Sequence, residues 1–158
     1  MADSKYRKIL FVCRGNTCRS PTAKAILRHL IQEREGRNEW EIESAGTYVF
    51  GEGLPSNERG LQVLKKHGIA SNHRVGEVKE DDFRHFDVIL AFHDRNVLRL
   101  NEIFRPNDGT TPAEVKLFGT YDPKGESNID DPLFGDISDY EKMFDHVYRC
   151  CVEFLKHC

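Results

Sequence analysis

Apolar positions along the chain follow two different periods. Ile9-Leu10-Phe11-Val12, closing a segment from Tyr6 to Val12, is apolar on both faces, and so is Val88 to Phe92 within the segment Asp87 to Phe92; each predicts a strand buried on both sides, as in a parallel sheet. Ala23, Ile26, Leu27, Leu30 and Ile31 recur at helical spacing after Pro21, which suits a first helical turn, with Ser20 as its predicted cap. Trp40 and Ile42 alternate with acids over residues 39–44, predicting a second strand closed by Gly46. A helix follows near residues 58–67, carrying Leu61 and Leu64 and ending at Gly68; another short helix runs through Val97, Leu98 and Leu100. A brief fourth strand spans residues 115–118. The last helix keeps Tyr140, Met143, Phe144, Val147, Cys151, Phe154 and Leu155 on one face, with Ser138-x-x-Glu141 as its predicted capping box.

Strands alternating with helices predict a doubly wound α/β fold, a four-stranded parallel sheet with helices on both faces. A length of 158 residues fits one domain spanning residues 1–158. The longest apolar runs, Ile9 to Cys13 and Val88 to Phe92, are five residues each, against the roughly 20 that a membrane-crossing helix needs. Met1-Ala2-Asp3-Ser4-Lys5 leads into no signal-like apolar stretch, so the expected location is the cytoplasm, with no membrane partner. There the five cysteines are expected as thiols rather than as a disulfide framework.

A net charge of −3 argues against nucleic acid, yet it conceals an asymmetry: residues 1–30 carry a local +6 and residues 121–141 a local −6. The acidic stretch falls in a connection of 19 residues, 119–137, with two Asp-Pro pairs and one lysine. Connections that long in compact domains are usually functional, and this one is expected to wall an active site.

The basic end supplies the chemistry. Ligands of open α/β sheets sit beyond the carboxyl ends of the strands, where the first strand delivers Cys13-Arg14-Gly15-Asn16-Thr17-Cys18-Arg19-Ser20-Pro21. Loop amides and a helix N-terminus make a cradle for a tetrahedral oxyanion, with Gly15 expected to permit a tight turn and Asn16 to accept a left-handed conformation. Neither nucleotide-binding glycine pattern is present, and phosphate fits better than a metal. A cysteine within that field of N–H dipoles is expected to be a thiolate nucleophile. Packing at a strand end would explain Cys13 alone, but Arg19, six positions on, can hold two phosphoryl oxygens at once.

With Cys-x5-Arg-Ser-Pro near the N-terminus, Ser44-Ala45-Gly46-Thr47, His67-Gly68-Ile69, Phe86-Asp87-x-Ile89-Leu90 and Asp131-Pro132, the chain resembles the low-molecular-weight protein tyrosine phosphatases over almost its whole length. The resemblance implies a flavodoxin-like fold and no cofactor or metal. It implies hydrolysis of phosphotyrosine proteins or small phosphate esters through a phosphocysteine on Cys13. Arg19 with the loop residues Arg14, Gly15, Asn16, Thr17, Cys18 and Ser20 would then bind phosphate, and Asp131 would act as general acid and base. It further implies that Ser44 and His73 help hold the loop and that Phe50, with Leu133 and Phe134, lines the substrate mouth. Cys18 would protect Cys13 from irreversible oxidation.

Two departures stand out. Phe92-His93-Asp94 replaces the Met-Asp that relatives commonly carry, so His93 or a shifted Asp94 must give that support. Leu133 and Phe134 stand where animal members often have two tyrosines, which weakens ring stacking. Buried packing also explains Tyr48 and Phe50, and a turn-forming role explains Asp122-Pro123. Three rival readings exist. A thiol-dependent arsenate reductase lacks resolving cysteines between Cys18 and Cys150, a non-catalytic phosphate-binding module leaves Asp131 unexplained, and a zinc module from Cys13, Cys18, Cys150 and Cys151 has no standard spacing.

Overall fold

The structure is a computed structural model and describes residues 6–34, 36–104 and 112–158. Met1 to Lys5, read above as carrying no export signal, lie outside the described residues. Strands β1 (Lys8–Cys13), β2 (Glu41–Gly46), β3 (Val88–Ala91) and β4 (Glu114–Leu117) form one parallel sheet in the order β2-β1-β3-β4. Helices α1 (Arg19–Ile31), α2 (Glu58–Lys66), α3 (Asp82–His85), α4 (Asp94–Ile103) and α5 (Ile137–Leu155) connect and cover it. The doubly wound expectation holds, with one short helix, α3, that its four residues were too few to announce.

Alternation along β1 assigns each side chain to a face. Ile9, Phe11 and Cys13 pack with Val88, Leu90 and Phe92 under α1, α2 and α5, while Leu10 and Val12 join Ile89, Ala91, Leu100 and Phe83 under α3 and α4. Phe11, Phe92 and Phe118 meet edge-on or tilted, with ring centroids 5.0 to 6.1 Å apart. In the register of the sheet Phe11 lies beside Ser44 and Cys13 beside Gly46. β1 is the strand from which the chain winds first to one side and then to the other. The crevice at the switch point therefore opens over its carboxyl end, at Cys13.

Two predicted caps are corrected. α1 starts at Arg19 and its capping position is Cys18, with no side-chain cap; Ser20 lies inside the helix, and its hydroxyl turns to Cys13 instead. α5 is capped two residues earlier than predicted, by Asp136, which accepts from the Asp139 N–H while the Asp139 carboxylate accepts from the Asp136 N–H. Ser138 donates its hydroxyl to Asp136, and Glu141 is taken by Lys66 and His67, so neither half of the predicted box is free for that role. Leu98, placed in the apolar set of α4, is exposed; Leu100 alone of the three is fully buried.

Candidate active site

Between β1 and α1 the chain curls through residues 13–19 with Asn16 as the one non-glycine residue at positive φ among the described residues, 59°. Asn tolerates that conformation better than most residues, as expected. Gly15 is different from expectation. Its φ is not positive, and a Cβ there would meet only Thr17 Oγ1 at 3.8 Å, so the turn itself does not require glycine. The glycine that the loop does require is Gly46 at the end of β2, where a Cβ would sit 2.6 Å from the Arg14 carbonyl oxygen and 2.7 Å from Val49.

The loop's carbonyls are engaged from outside. Cys13 O accepts from Thr47 N (3.0 Å), Arg14 O from Tyr48 N (2.8 Å), Asn16 O from His73 Nε2 (2.9 Å) and Thr17 O from Asn57 N (2.9 Å). Because N–H and C=O oppose each other across a trans peptide, the amides of residues 14, 15, 17 and 18 face the other way, into the curl. Joined to the first turn of α1, they make the anion cradle that the sequence predicted.

Hydrogen-bond direction in the supporting network follows from who can donate. Asn16 Nδ2 donates to Ser20 Oγ (2.9 Å) and Ser44 Oγ (3.0 Å), and Asn16 Oδ1 accepts from Gly76 N (2.9 Å). With its oxygen already accepting, Ser20 directs its own hydrogen at Cys13 Sγ, 2.9 Å away. Ser44 and His73 both stand where the sequence placed them, and His73 is buried, not an exposed loop histidine. Burial and then the nearby Lys24 ammonium hold its pKa down at about 4, so it is neutral near pH 7.

The acidic connection reaches the same place. Arg19 is 5% exposed; its Nη1 donates to Ile129 O (3.1 Å) and its Nη2 lies 3.5 Å from Asp131 Oδ2. Asp131 is more open, and its second oxygen accepts from Leu133 N at 3.1 Å. Cys13, Arg19 and Asp131 are thus brought to one end of the sheet. The connection is tied to β3 through Ile129 N, which donates to Phe92 O (2.8 Å). Asp94 and Asn128 form a reciprocal pair, Asp94 N to Asn128 Oδ1 at 3.0 Å and Asn128 Nδ2 to Asp94 Oδ2 at 3.1 Å. Of the two candidates, the shifted Asp94 reaches the acidic connection, at Asn128, whereas His93 accepts from Arg95 N to cap α4.

The root of this connection is more than a turn. Asp122 does accept from Lys124 N and Glu126 N, but both its buried oxygens also face α5, on Arg149 Nε (3.0 Å), Arg149 Nη2 (3.1 Å) and His146 Nε2 (3.1 Å). Burial would raise its pKa, yet the Arg149 and backbone hydrogen bonds prevail and hold it at about 2. Asp122, Glu126 and His146 are the one group of possible metal donors among the described residues, and the Arg149 guanidinium already engages both oxygens of Asp122. Gly119 permits the crossing above, since a Cβ there would fall 1.9 Å from Ser127 O.

Around the mouth, Tyr48 and Phe50 are exposed with ring centroids 5.6 Å apart, which removes buried packing as their explanation. The Arg14 guanidinium lies 5.6 Å from the Tyr48 ring centre. Leu133 is exposed, and Phe134, 97% exposed, lines with Asp131, Met143 and His146 a cleft of about 490 Å3 that runs toward Arg149 and includes none of residues 13–19. Cys18 is buried with its Sγ 3.8 Å from the Tyr140 hydroxyl, and burial pushes its thiol pKa up. The roles that Gly46, Lys24, Tyr140 and the Ile129 carbonyl play at the site were missed in the sequence, because they depend on contacts between segments that no local spacing encodes.

An oxyanion cradle at the switch point of a parallel α/β sheet, holding a cysteine and an arginine with an acid against them, places the chain among phosphate-handling α/β enzymes. The family model for the low molecular weight phosphotyrosine protein phosphatases matches residues 8–158. Low molecular weight phosphotyrosine protein phosphatases of Gallus gallus and Homo sapiens are 39% and 37% identical, each over 99% of this chain and 98% of theirs. Among solved structures, a drosophila arginine phosphatase is 36% identical with a TM-score of 0.86 (94% of this chain, 96% of that one). A protein tyrosine phosphatase from Entamoeba histolytica is 26% identical with a TM-score of 0.85 (94% of each). The chain belongs to the low molecular weight phosphotyrosine protein phosphatase family and is a phosphoric monoester hydrolase of that class. Among the described residues no helix is long and apolar enough to cross a membrane.

Proposed function

We propose that the chain hydrolyses phosphotyrosine and small aryl phosphates through a phosphocysteine on Cys13. The Cys13 thiolate attacks phosphorus while Arg19 and the inward amides hold the equatorial oxygens, and the bond to the phenolic oxygen breaks as Asp131 gives that oxygen its proton. Asp131, now a carboxylate, takes a proton from water, whose oxygen displaces sulfur from phosphorus and releases inorganic phosphate with the thiolate restored. The observation that carries this reading is the meeting of three groups: Sγ of Cys13 fixed by Ser20 at 2.9 Å, and Arg19 turned to Asp131 at 3.5 Å. Rapid-quench trapping of a phosphoenzyme from labelled substrate, present in the parent and absent in Cys13→Ser, tests it.

The cysteines weigh against an arsenate reductase. Cys150 and Cys151 are fully buried in the body of α5, with Cys151 Sγ turned to the Ala23 carbonyl at 3.9 Å rather than to Cys13. Cys18 takes a narrower role in the same proposal: peroxide oxidises Cys13 to a sulfenic acid, and the Cys18 thiol condenses with it to a disulfide and water, which dithiothreitol reverses.

A second substrate class is favoured by one observation, the arginine phosphatase at 36% identity. Exposed Tyr48 and Phe50 can stack on a planar guanidinium as well as on a phenyl ring, and Asp131 can protonate a departing nitrogen as well as an oxygen. Parallel turnover of phosphotyrosyl and phosphoarginyl peptides of one sequence decides between them.

A further inference from the structure

Lys24 is a buried lysine, 7% exposed, that the chemistry above does not use. It projects from α1, and its Nζ lies 2.8 Å from His73 Nδ1. Its carboxylate neighbour, Glu43 on β2, is farther away at 3.7 Å and also holds Arg28 at 2.9 Å. A buried ammonium whose shortest contact is an imidazole nitrogen is an expensive arrangement to keep without a purpose.

We infer that Lys24 is a positioning residue for the phosphate loop, fixing His73 as the neutral Nε2–H tautomer that holds the Asn16 carbonyl. Two obligatory roles set the ring. The ammonium has only donors, so Nδ1 must be bare; the Asn16 carbonyl can only accept, so Nε2, 2.9 Å from it, must carry the hydrogen. Ser44 Oγ, 3.4 Å from Nδ1, already accepts from Asn16, and its hydrogen points the same way as that of Lys24. From Lys24 to His73 to Asn16 O, and from Asn16 Nδ2 to Ser20 to Cys13 Sγ, every hydrogen is donated toward the loop and its sulfur. Asn16, at φ 59°, is the hinge common to both arms. The charged groups facing the ring are Lys24 and Arg28 from α1 and Glu43 from β2, and the two cations oppose a third charge on His73.

This rests on the phosphatase reading for its consequence but not for its test. Long-range 1H–15N NMR of the unmodified protein should show His73 with Nε2 protonated, Nδ1 bare and no titration between about pH 5 and 8. In Lys24→Met part of the ring population should carry its hydrogen on Nδ1 instead of Nε2, and competitive inhibition by inorganic phosphate should weaken about three- to tenfold; Lys24→Arg, which keeps a charged donor, should restore both. An Nδ1–H tautomer or a charged His73 near pH 7 in the unmodified protein overturns the inference, even where Lys24→Met fails to fold. So does a folded Lys24→Met in which His73 and phosphate inhibition are unchanged. Because the ring is read directly, absence of phosphotyrosine turnover would refute the phosphatase reading and leave these results standing.

Discussion

The two loops that meet at Arg19 are built differently. Residues 13–19 are held on all sides: four carbonyls are bound from outside, Asn16 is locked by three partners, and Gly46 presses against Arg14 O. The connection carrying Asp131 is anchored at separate points: at its root through Asp122 and Arg149, midway at Asn128 and Ile129, and past Asp131 where Arg59 donates to Gly135 O at 2.7 Å. Beyond Asp131 Pro132 is buried, but Leu133 and Phe134 open to solvent, Phe134 almost entirely. A site that must fit a transition state needs the phosphate oxygens met by preset donors, whereas a proton donor must serve leaving groups of varied shape. Rigidity is concentrated where the charge of the reaction is invariant.

Breaking the rigid half should cost most. Cys13→Ser should lower turnover of p-nitrophenyl phosphate by about 10³ or more while inorganic phosphate still binds, and Arg19→Lys should lose both, because an ammonium cannot make a two-pronged contact. Metal chelation should change neither. Asp131→Asn tests the other half: steady-state turnover of phosphotyrosine should fall by about 10² to 10⁴, with a smaller loss on substrates whose leaving group needs no proton. An equal loss on both would make Asp131 a support for Arg19.

Smaller effects probe the anchors. Asp122→Ala removes the buried carboxylate that Arg149 and His146 share, leaving them only Glu126, and should lower stability by about 3 kcal/mol in urea unfolding, more than any change it makes in the chemical step. His73 is neutral in the folded chain down to about pH 4 but takes a proton near 6.5 when unfolded, so its contribution is intact above pH 6.5 and is lost as pH falls from there toward 4. It amounts to about 3 kcal/mol at most, and His73→Gln should flatten the pH dependence of the melting temperature in that window.

How much of this was legible follows the same division. β1, its loop and the start of α1 are contiguous, so burial pattern, nucleophile and clamp are written within 13 residues, and the four strands were found where they lie. Asp131 was legible as a motif, and its distance to Arg19 was not. The misreadings share one cause: a short polar side chain has several local uses, and tertiary neighbours choose among them. Ser20 serves Cys13 rather than its helix end, Asp136 outcompetes Ser138, and Asp122 serves α5 as well as its turn. Lys24 carries no local signal, since a lysine on a helix is ordinary, and Gly46 was legible as a strand end but not as the place where Arg14 O presses close.

Tyr140 links the two halves: its hydroxyl lies 3.8 Å from Cys18 Sγ and 3.4 Å from the Leu133 carbonyl, and the residue is fully buried. A kinase needs a tyrosine in extended, accessible chain, and this one sits in the first turns of a 19-residue helix with its ring in the core. Phosphorylation at Tyr140 would therefore have to wait for α5 to open, and the added dianion could not return to a space shared with a sulfur and a carbonyl. Such a modification would mark molecules already unfolding rather than switch off folded ones.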